Sequence, residues 1–245
     1  MDGGGRGLLA ALVDLVLPRT CAGCGVPGAV LCRPCARLLT VPHLATPRRF
    51  PDGFPPTVAA GRYAGPVRPA VLAFKERGRA ELAGPLGAAL ALATAAVLRG
   101  AVGPRLPGPV LLVPVPGTAR ALRERGRDHV GELAGRAAAE LRAAGVPARQ
   151  ARLLRRHGRV RDSAGLSVDE RRSNLAGTFA RSGAAVPHRS VLVLVDDVVT
   201  SGATLSEAAA VLAPDGAVVV PVLAAVVAAT PRRPLDRLSA PADHD

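Results

Sequence analysis

The sequence predicts an α/β protein: a parallel sheet flanked by helices, with a small four-cysteine module at its N-terminal end. Three observations carry this expectation. Residues 191–195 are five branched apolar residues in a row, the pattern of a strand buried on both faces. Residues 110–113 form a second such run, closed by Pro114 and Pro116. All four cysteines fall into two C-x-x-C pairs, Cys21 with Cys24 and Cys32 with Cys35.

The bulk numbers set limits on this fold. A chain of 245 residues can hold one good-sized domain and a small module. Hydrophobic residues make up 49%, enough for a full core, whereas aromatics are only 2%, so the core is built from Val, Leu and Ala. The net charge of +13 points toward polyanions. Lys75 is the only lysine, however, and Arg, Ala, Gly and Pro are all abundant, as GC-rich codon usage dictates. The arginines are scattered and lack interleaved aromatics for base stacking. Charge alone therefore does not argue for nucleic acid. The apolar stretch 8–17 is broken by Asp14 and leads to no small-residue cleavage site. Stretch 82–98 is uncharged but contains Pro85 and reads as a buried helix rather than a membrane span. The expectation is a cytoplasmic protein with no membrane association.

Residues 1–40 are read as an N-terminal segment plus a metal module. Two C-x-x-C knuckles offer four thiolates to one tetrahedral zinc ion, and Gly23 and Gly25 give the knuckle its backbone freedom. Four thiolates leave no open coordination position, so this zinc is structural. Disulfides are disfavoured in the expected compartment. His43 is read as a surface residue rather than a ligand. Residues 41–60 are rich in Pro and turn formers and are read as a linker.

Residues 61–230 make the main domain. Stretch 63–74 alternates and turns toward Lys75 and a basic glycine turn; 80–100 is helical in pattern; 104–109 is loop. Strand 110–116 leads into an arginine-dense loop, 117–129, that contains Arg123, Arg125 and Arg127. With the turn at Pro116 and Gly117, this is a candidate anion site. An amphipathic helix is expected over 130–144. A loop with a short helix capped by Ser167 and Glu170 fills 161–179. The strand from 191 runs to two adjacent carboxylates, Asp196 and Asp197, at its end. Thr200, Ser201, Gly202, Ala203 and Thr204 follow, then a helix with Thr204 as N-cap and Glu207 as its capping-box partner. Residues 218–227 complete a β-α-β ending, and 231–245 are a Pro- and Arg-rich tail expected to be disordered.

The segment 191–205 carries the chemistry. A hydroxyl- and glycine-bearing turn at a helix N-terminus offers backbone N–H groups to a phosphate. Paired aspartates beside a buried strand are costly unless something uses them. Acids and phosphate nest together suit a phosphorylated sugar: the nest takes the 5-phosphate, and the acids take ribose hydroxyls.

This segment closely resembles the phosphoribosyl-pyrophosphate (PRPP) signature of type I phosphoribosyltransferases. The wider order of motifs resembles the ComF/GntX-type competence protein family. The residues that carry the resemblance are Cys21, Cys24, Cys32 and Cys35; Tyr63 and Gly65; Lys75; Pro114-Val115-Pro116; Arg123, Arg125 and Gly126; Arg171, Asn174 and Phe179; and Asp196 through Thr204. Together they span roughly residues 8–229. Two departures stand out: Arg127-Asp128-His129 where that family commonly has Phe-Asn-Gln, and Ser163 where it often has Gln.

The resemblance implies a type I phosphoribosyltransferase fold and transfer of phosphoribosyl from PRPP, with Mg²⁺, to an unidentified acceptor as pyrophosphate leaves. Asp196 and Asp197 would hold the ribose and steady its positive charge. Residues Thr200, Ser201, Gly202, Ala203 and Thr204 would cradle the 5-phosphate. Pro116 and Gly117 would shape the pyrophosphate turn, and Arg123, Arg125, Arg127 or Lys75 would offset the leaving charge. Two other functions fit the same residues: a non-catalytic PRPP sensor, and a zinc-bearing adaptor for single-stranded DNA or a competence-machinery partner.

Overall fold

In a computed structural model, residues 19–47, 53–156, 177–213 and 221–231 are described. The motif residues Arg171 and Asn174, the Ser167–Glu170 cap, Ser163 and the 232–245 part of the tail lie outside them. The main sheet has six strands: β1 (His43–Leu44), β2 (Thr57–Arg62), β3 (Val110–Pro114), β4 (Ala148–Gln150), β7 (Val191–Val199) and β8 (Leu223–Ala229). Their spatial order is β1-β2-β8-β7-β3-β4, with every pairing parallel except β1 with β2. A separate antiparallel ribbon joins β5 (Leu154–Arg156) to β6 (Phe179–Arg181). The described helices are α1 (Arg33–Arg37), α2 (Val67–Lys75), α3 (Ala83–Ala101), α4 (Ala119–Arg125), α5 (His129–Ala143) and α6 (Ala203–Leu212).

The alternation of each central strand divides the core into two layers. Val191, Val193 and Val195 of β7 face the cluster built with Leu86 and Leu90 of α3 and Leu133 of α5. Leu192 and Leu194 face the other cluster, which holds Leu205 and Leu212 of α6 and Phe179. Both faces of β7 are thus covered, which is why its sequence reads as an unbroken apolar run. The segment Ala80–Ala101 is long and apolar enough to cross a bilayer by length and composition, but 61% of its apolar 18-residue stretch is buried within the fold. It packs against β2, β8 and α5 as a core helix.

The stretch expected as a linker, 41–60, supplies β1 and most of β2. Val58, Ala59 and Ala60 of β2 are buried, and β2 pairs with β8 through Val58 opposite Ala225 and Ala59 opposite Val226. The prolines that suggested a linker end just before this strand. Stretch 63–74 continues as helix α2 from Val67, capping the C-terminal end of β2, rather than as an alternating element. The arginine-dense loop contains α4. Its N-cap is Thr118, whose side chain accepts from the Ala121 N–H at 3.0 Å, and it stops at Gly126 with φ 65°.

The cysteine module is seated on the sheet. Leu39 is buried in the α3–α5 layer, and Arg79 donates to the Thr20 carbonyl at 2.9 Å. A Cβ placed on Gly61 of β2 would sit 2.6 Å from the Leu38 carbonyl oxygen and 2.8 Å from the Leu39 side chain. Backbone on one side cannot yield. Gly61→Ala is therefore expected to push the module off β2 and to destabilise the protein by about 1–3 kcal/mol, the usual penalty of overpacking. Urea unfolding checks this; an unchanged midpoint would mean that the module is not seated there.

Candidate functional site

The site begins with the sheet topology. After β3 the chain crosses through α5 to β4 at one edge; after β7 it crosses through α6 to β8 on the other side. The two crossover helices lie in opposite core layers. The neighbouring strands β3 and β7 therefore form a topological switch point, and the crevice outside their C-terminal ends is where open α/β sheets bind ligands. Both acids and the turn lie at that end.

The strand does not stop at the acids as expected. It continues through Asp196 and Asp197 to Val199, with Asp196 opposite Val226 and Val198 opposite Ala228 of β8. Neighbouring strand residues point to opposite faces. Asp196 and Asp197 therefore enter different environments.

Asp196 lines a cleft together with Thr200, Ser201, Gly202, Thr204 and Leu205. Its Oδ1 accepts the Asp197 N–H at 2.8 Å. Desolvation and the charge of Asp197 raise its pKa well above the usual carboxylate range. Asp197 is buried beneath the cleft floor. Its Oδ2 accepts from Lys75 Nζ at 2.9 Å and lies 3.1 Å from His129 Nε2, while its Oδ1 accepts the Val198 N–H at 2.7 Å. Burial pushes its pKa up, but His129 and Lys75 outweigh burial and hold it below the ordinary value. Lys75 in turn is raised: its partial burial opposes the charge, and Asp197 more than compensates. Of the two acids, Asp196 takes up a proton first.

The turn is built as a nest. Gly202 has φ 85° and is the residue before α6, so the first N–H groups of the helix lack intrahelical partners; that of Ala203 donates to Ser201 Oγ at 3.4 Å. The expected capping box is not formed. The helix starts at Ala203, one residue before Thr204, and Glu207 instead accepts the Gly177 N–H at 2.8 Å. A Cβ on Gly202 would meet the Phe54 ring at 2.9 Å in a backbone conformation that L-residues resist. We expect Gly202→Ala to displace Phe54, deform the turn and lower phosphate affinity by about tenfold or more, at a strain of ~1–2 kcal/mol. Titration with ribose 5-phosphate measures this, and an unaltered affinity would remove the turn from the site.

The basic residues expected around a leaving group converge from α2 and from the α4–α5 segment. Arg125 makes a two-point contact with Glu76, at 3.0 and 2.9 Å, just beyond Lys75. Arg127 pairs with Glu132, donates to the Phe74 carbonyl at 3.3 Å and stacks over the Phe74 ring at 4.4 Å. These contacts tie the arginine segment to the C-terminal end of α2. Arg125 and Arg127 are thereby committed to protein carboxylates. Arg123 is exposed on α4. Pro116 and Gly117 follow β3 directly, half-buried at the mouth of the crevice.

Two residues of the site were not read from the sequence. His129 registered only as a departure from a motif, yet it is buried against Asp197, 68 positions away in the chain. Arg156, at the end of β5, stacks over Phe179 at 5.1 Å and feels the charge of Asp196. Its Nε is buried without a hydrogen-bond partner among the described residues. No local motif announces either role.

The sulfurs of Cys21, Cys24, Cys32 and Cys35 all lie within 4.8 Å of one another. A zinc ion with Zn–S bonds of about 2.3 Å places its tetrahedral ligands ~3.8 Å apart, so the cluster fits such an ion closely. The N–H groups of Gly23 and Cys32 point at the Cys21 sulfur, at 3.4 and 3.3 Å. Burial opposes ionisation of Cys21, but these N–H groups prevail and bring its pKa down to about 6, whereas burial and the neighbouring sulfurs push Cys35 up. A cation is what lets all four ionise together. His43 lies in β1 and is not part of this cluster.

No protein-family model matches the chain, and no curated protein matches it in sequence.

Proposed function

We propose that the protein has a type I phosphoribosyltransferase fold of the ComF/GntX kind and binds PRPP with Mg²⁺. It passes the phosphoribosyl group to a nucleophilic acceptor: the bond from ribose C1 to the pyrophosphate oxygen breaks, and a bond from C1 to the acceptor forms. The observation that carries this reading is the position of the acid pair. It stands at the C-terminal end of β7, joined without interruption to the Gly202 turn, at the switch point of the sheet.

In this reading the turn holds the 5-phosphate through the first N–H groups of α6 and the hydroxyls of Thr200, Ser201 and Thr204, the phosphate replacing the 3.4 Å bond from the Ala203 N–H to Ser201 Oγ. Asp196 faces the ribose. Lys75 and Arg123 offer positive charge toward the departing pyrophosphate, where preorganised charge lowers the barrier most. Mg²⁺ would be held through substrate oxygens and water, as its preference for keeping a hydration shell dictates, and Asp196 would be the cleft carboxylate available to it. The four cysteines hold a structural zinc.

A calorimetric titration of PRPP with Mg²⁺ tests the reading. We expect saturable binding of one PRPP per chain; a folded protein that takes up no PRPP would refute it. Pyrophosphate release on adding a panel of nucleobases and amines separates an enzyme from a sensor that binds without turnover.

A further inference from the structure

We propose that the two neighbouring carboxylates divide their work: Asp196 contacts the ligand, whereas Asp197 is a positioning residue that, with His129, fixes the Lys75 ammonium at the mouth of the crevice. The inference rests on the PRPP reading and departs from the expectation that both acids hold ribose hydroxyls.

Geometry carries it. Asp197 is 3% exposed, and both of its oxygens are engaged by the protein. Oδ2 is shared between Lys75 Nζ at 2.9 Å and His129 Nε2 at 3.1 Å; Oδ1 accepts the Val198 N–H at 2.7 Å. A ribose hydroxyl would have to displace a charge-assisted bond to reach it. Asp196 has one oxygen on the backbone and its other side on the cleft.

The three partners come from three elements whose positions are set separately. Asp197 is held beside β8, between Asp196 opposite Val226 and Val198 opposite Ala228. His129 is the first residue of α5, whose N-cap Asp128 accepts the Gly131 N–H at 3.0 Å. The His129 ring also lies edge-on to Phe74, the residue before Lys75, with centroids 6.2 Å apart. His129 therefore braces both the carboxylate and the helix that delivers the lysine. Lys75 is the last residue of α2 and 30% exposed, so its ammonium is anchored on one side and open on the other. A flexible lysine stem held this way acts as a placed point charge.

The test compares two ligands, PRPP with Mg²⁺ and ribose 5-phosphate, which lacks the pyrophosphate. Asp196→Asn is expected to weaken both alike. Asp197→Asn, His129→Phe and Lys75→Met are expected to weaken PRPP by about tenfold, the worth of one charge-assisted contact, and to leave ribose 5-phosphate within twofold. Adding Asp197→Asn to Lys75→Met should cost little more PRPP affinity than Lys75→Met alone, because the clamp then has nothing to hold. His129→Gln, which keeps a donor toward Asp197, should recover part of the PRPP affinity lost in His129→Phe. If Asp197→Asn proves unstable, Lys75→Met and the two His129 variants decide. Equal loss of both ligands in these variants would overturn the division of labour while leaving the PRPP reading intact. A folded wild-type protein that binds neither ligand would overturn the PRPP reading itself.

Discussion

Cys35→Ser is expected to release the zinc and to unfold the N-terminal module. Structural zinc in small modules is worth about 10–16 kcal/mol in apparent binding free energy near neutral pH, and that energy is folding energy. Among the described residues of the module, helix α1 is five residues long and buries Cys35 alone. The consequence extends beyond the module because Leu39 belongs to the main core and Gly61 of β2 receives the Leu38 backbone and the Leu39 side chain. Metal analysis should read one zinc per chain in the wild type and none in the variant. The thermal midpoint should fall in the variant and, equally, in wild-type protein treated with a chelator. A fully stable, metal-free wild type would show that the four sulfurs are assembled without an ion.

Asp196→Asn is expected to have the largest effect on ligand binding. The substitution keeps shape and removes charge, so it tests electrostatics rather than packing. Loss of one charge-assisted hydrogen bond to a ribose hydroxyl corresponds to about 1–3 kcal/mol, or roughly 5- to 150-fold in affinity. Stability should hardly fall, because Asp196 accepts only its neighbour's N–H. Asp197 behaves in the opposite way. Its folded-state pKa is depressed, so the stability it contributes is present above the unfolded carboxylate value and is lost as pH falls through the folded one. Acid unfolding should therefore begin at higher pH than in wild type when His129 or Lys75 is removed.

What was legible in the sequence follows from where each signal resides. The β7 run and the Gly202 turn are local patterns, and the structure contains both. The four-cysteine cluster was legible for the same reason, since both pairs are adjacent in the chain. Expected strand 218–227 is found as Leu223–Ala229, with 214–220 outside the described residues. Helix α4 was hidden by its arginines, although Thr118 and Gly126 are cap signals that could have revealed it. β2 was hidden by the prolines before it and by an Ala-rich sequence with weak alternation. Thr204 and Glu207 do form a capping pattern, but the pairing of Glu207 with the Gly177 N–H, 30 positions away, overrides it. The Lys75–Asp197–His129 clamp could not be read at all. Its members come from α2, β7 and α5, and only the order of strands in the sheet brings them together.

We propose that Asp196 and the Gly202 turn form one phosphoribosyl site. The most direct measurement is a crystal structure of the protein with PRPP and Mg²⁺. We expect the 5-phosphate within hydrogen-bond distance of the backbone N–H groups at Gly202, Ala203 and Thr204, with a ribose hydroxyl on Asp196 and the pyrophosphate turned toward Lys75. PRPP bound elsewhere, with that turn free of phosphate, would contradict it.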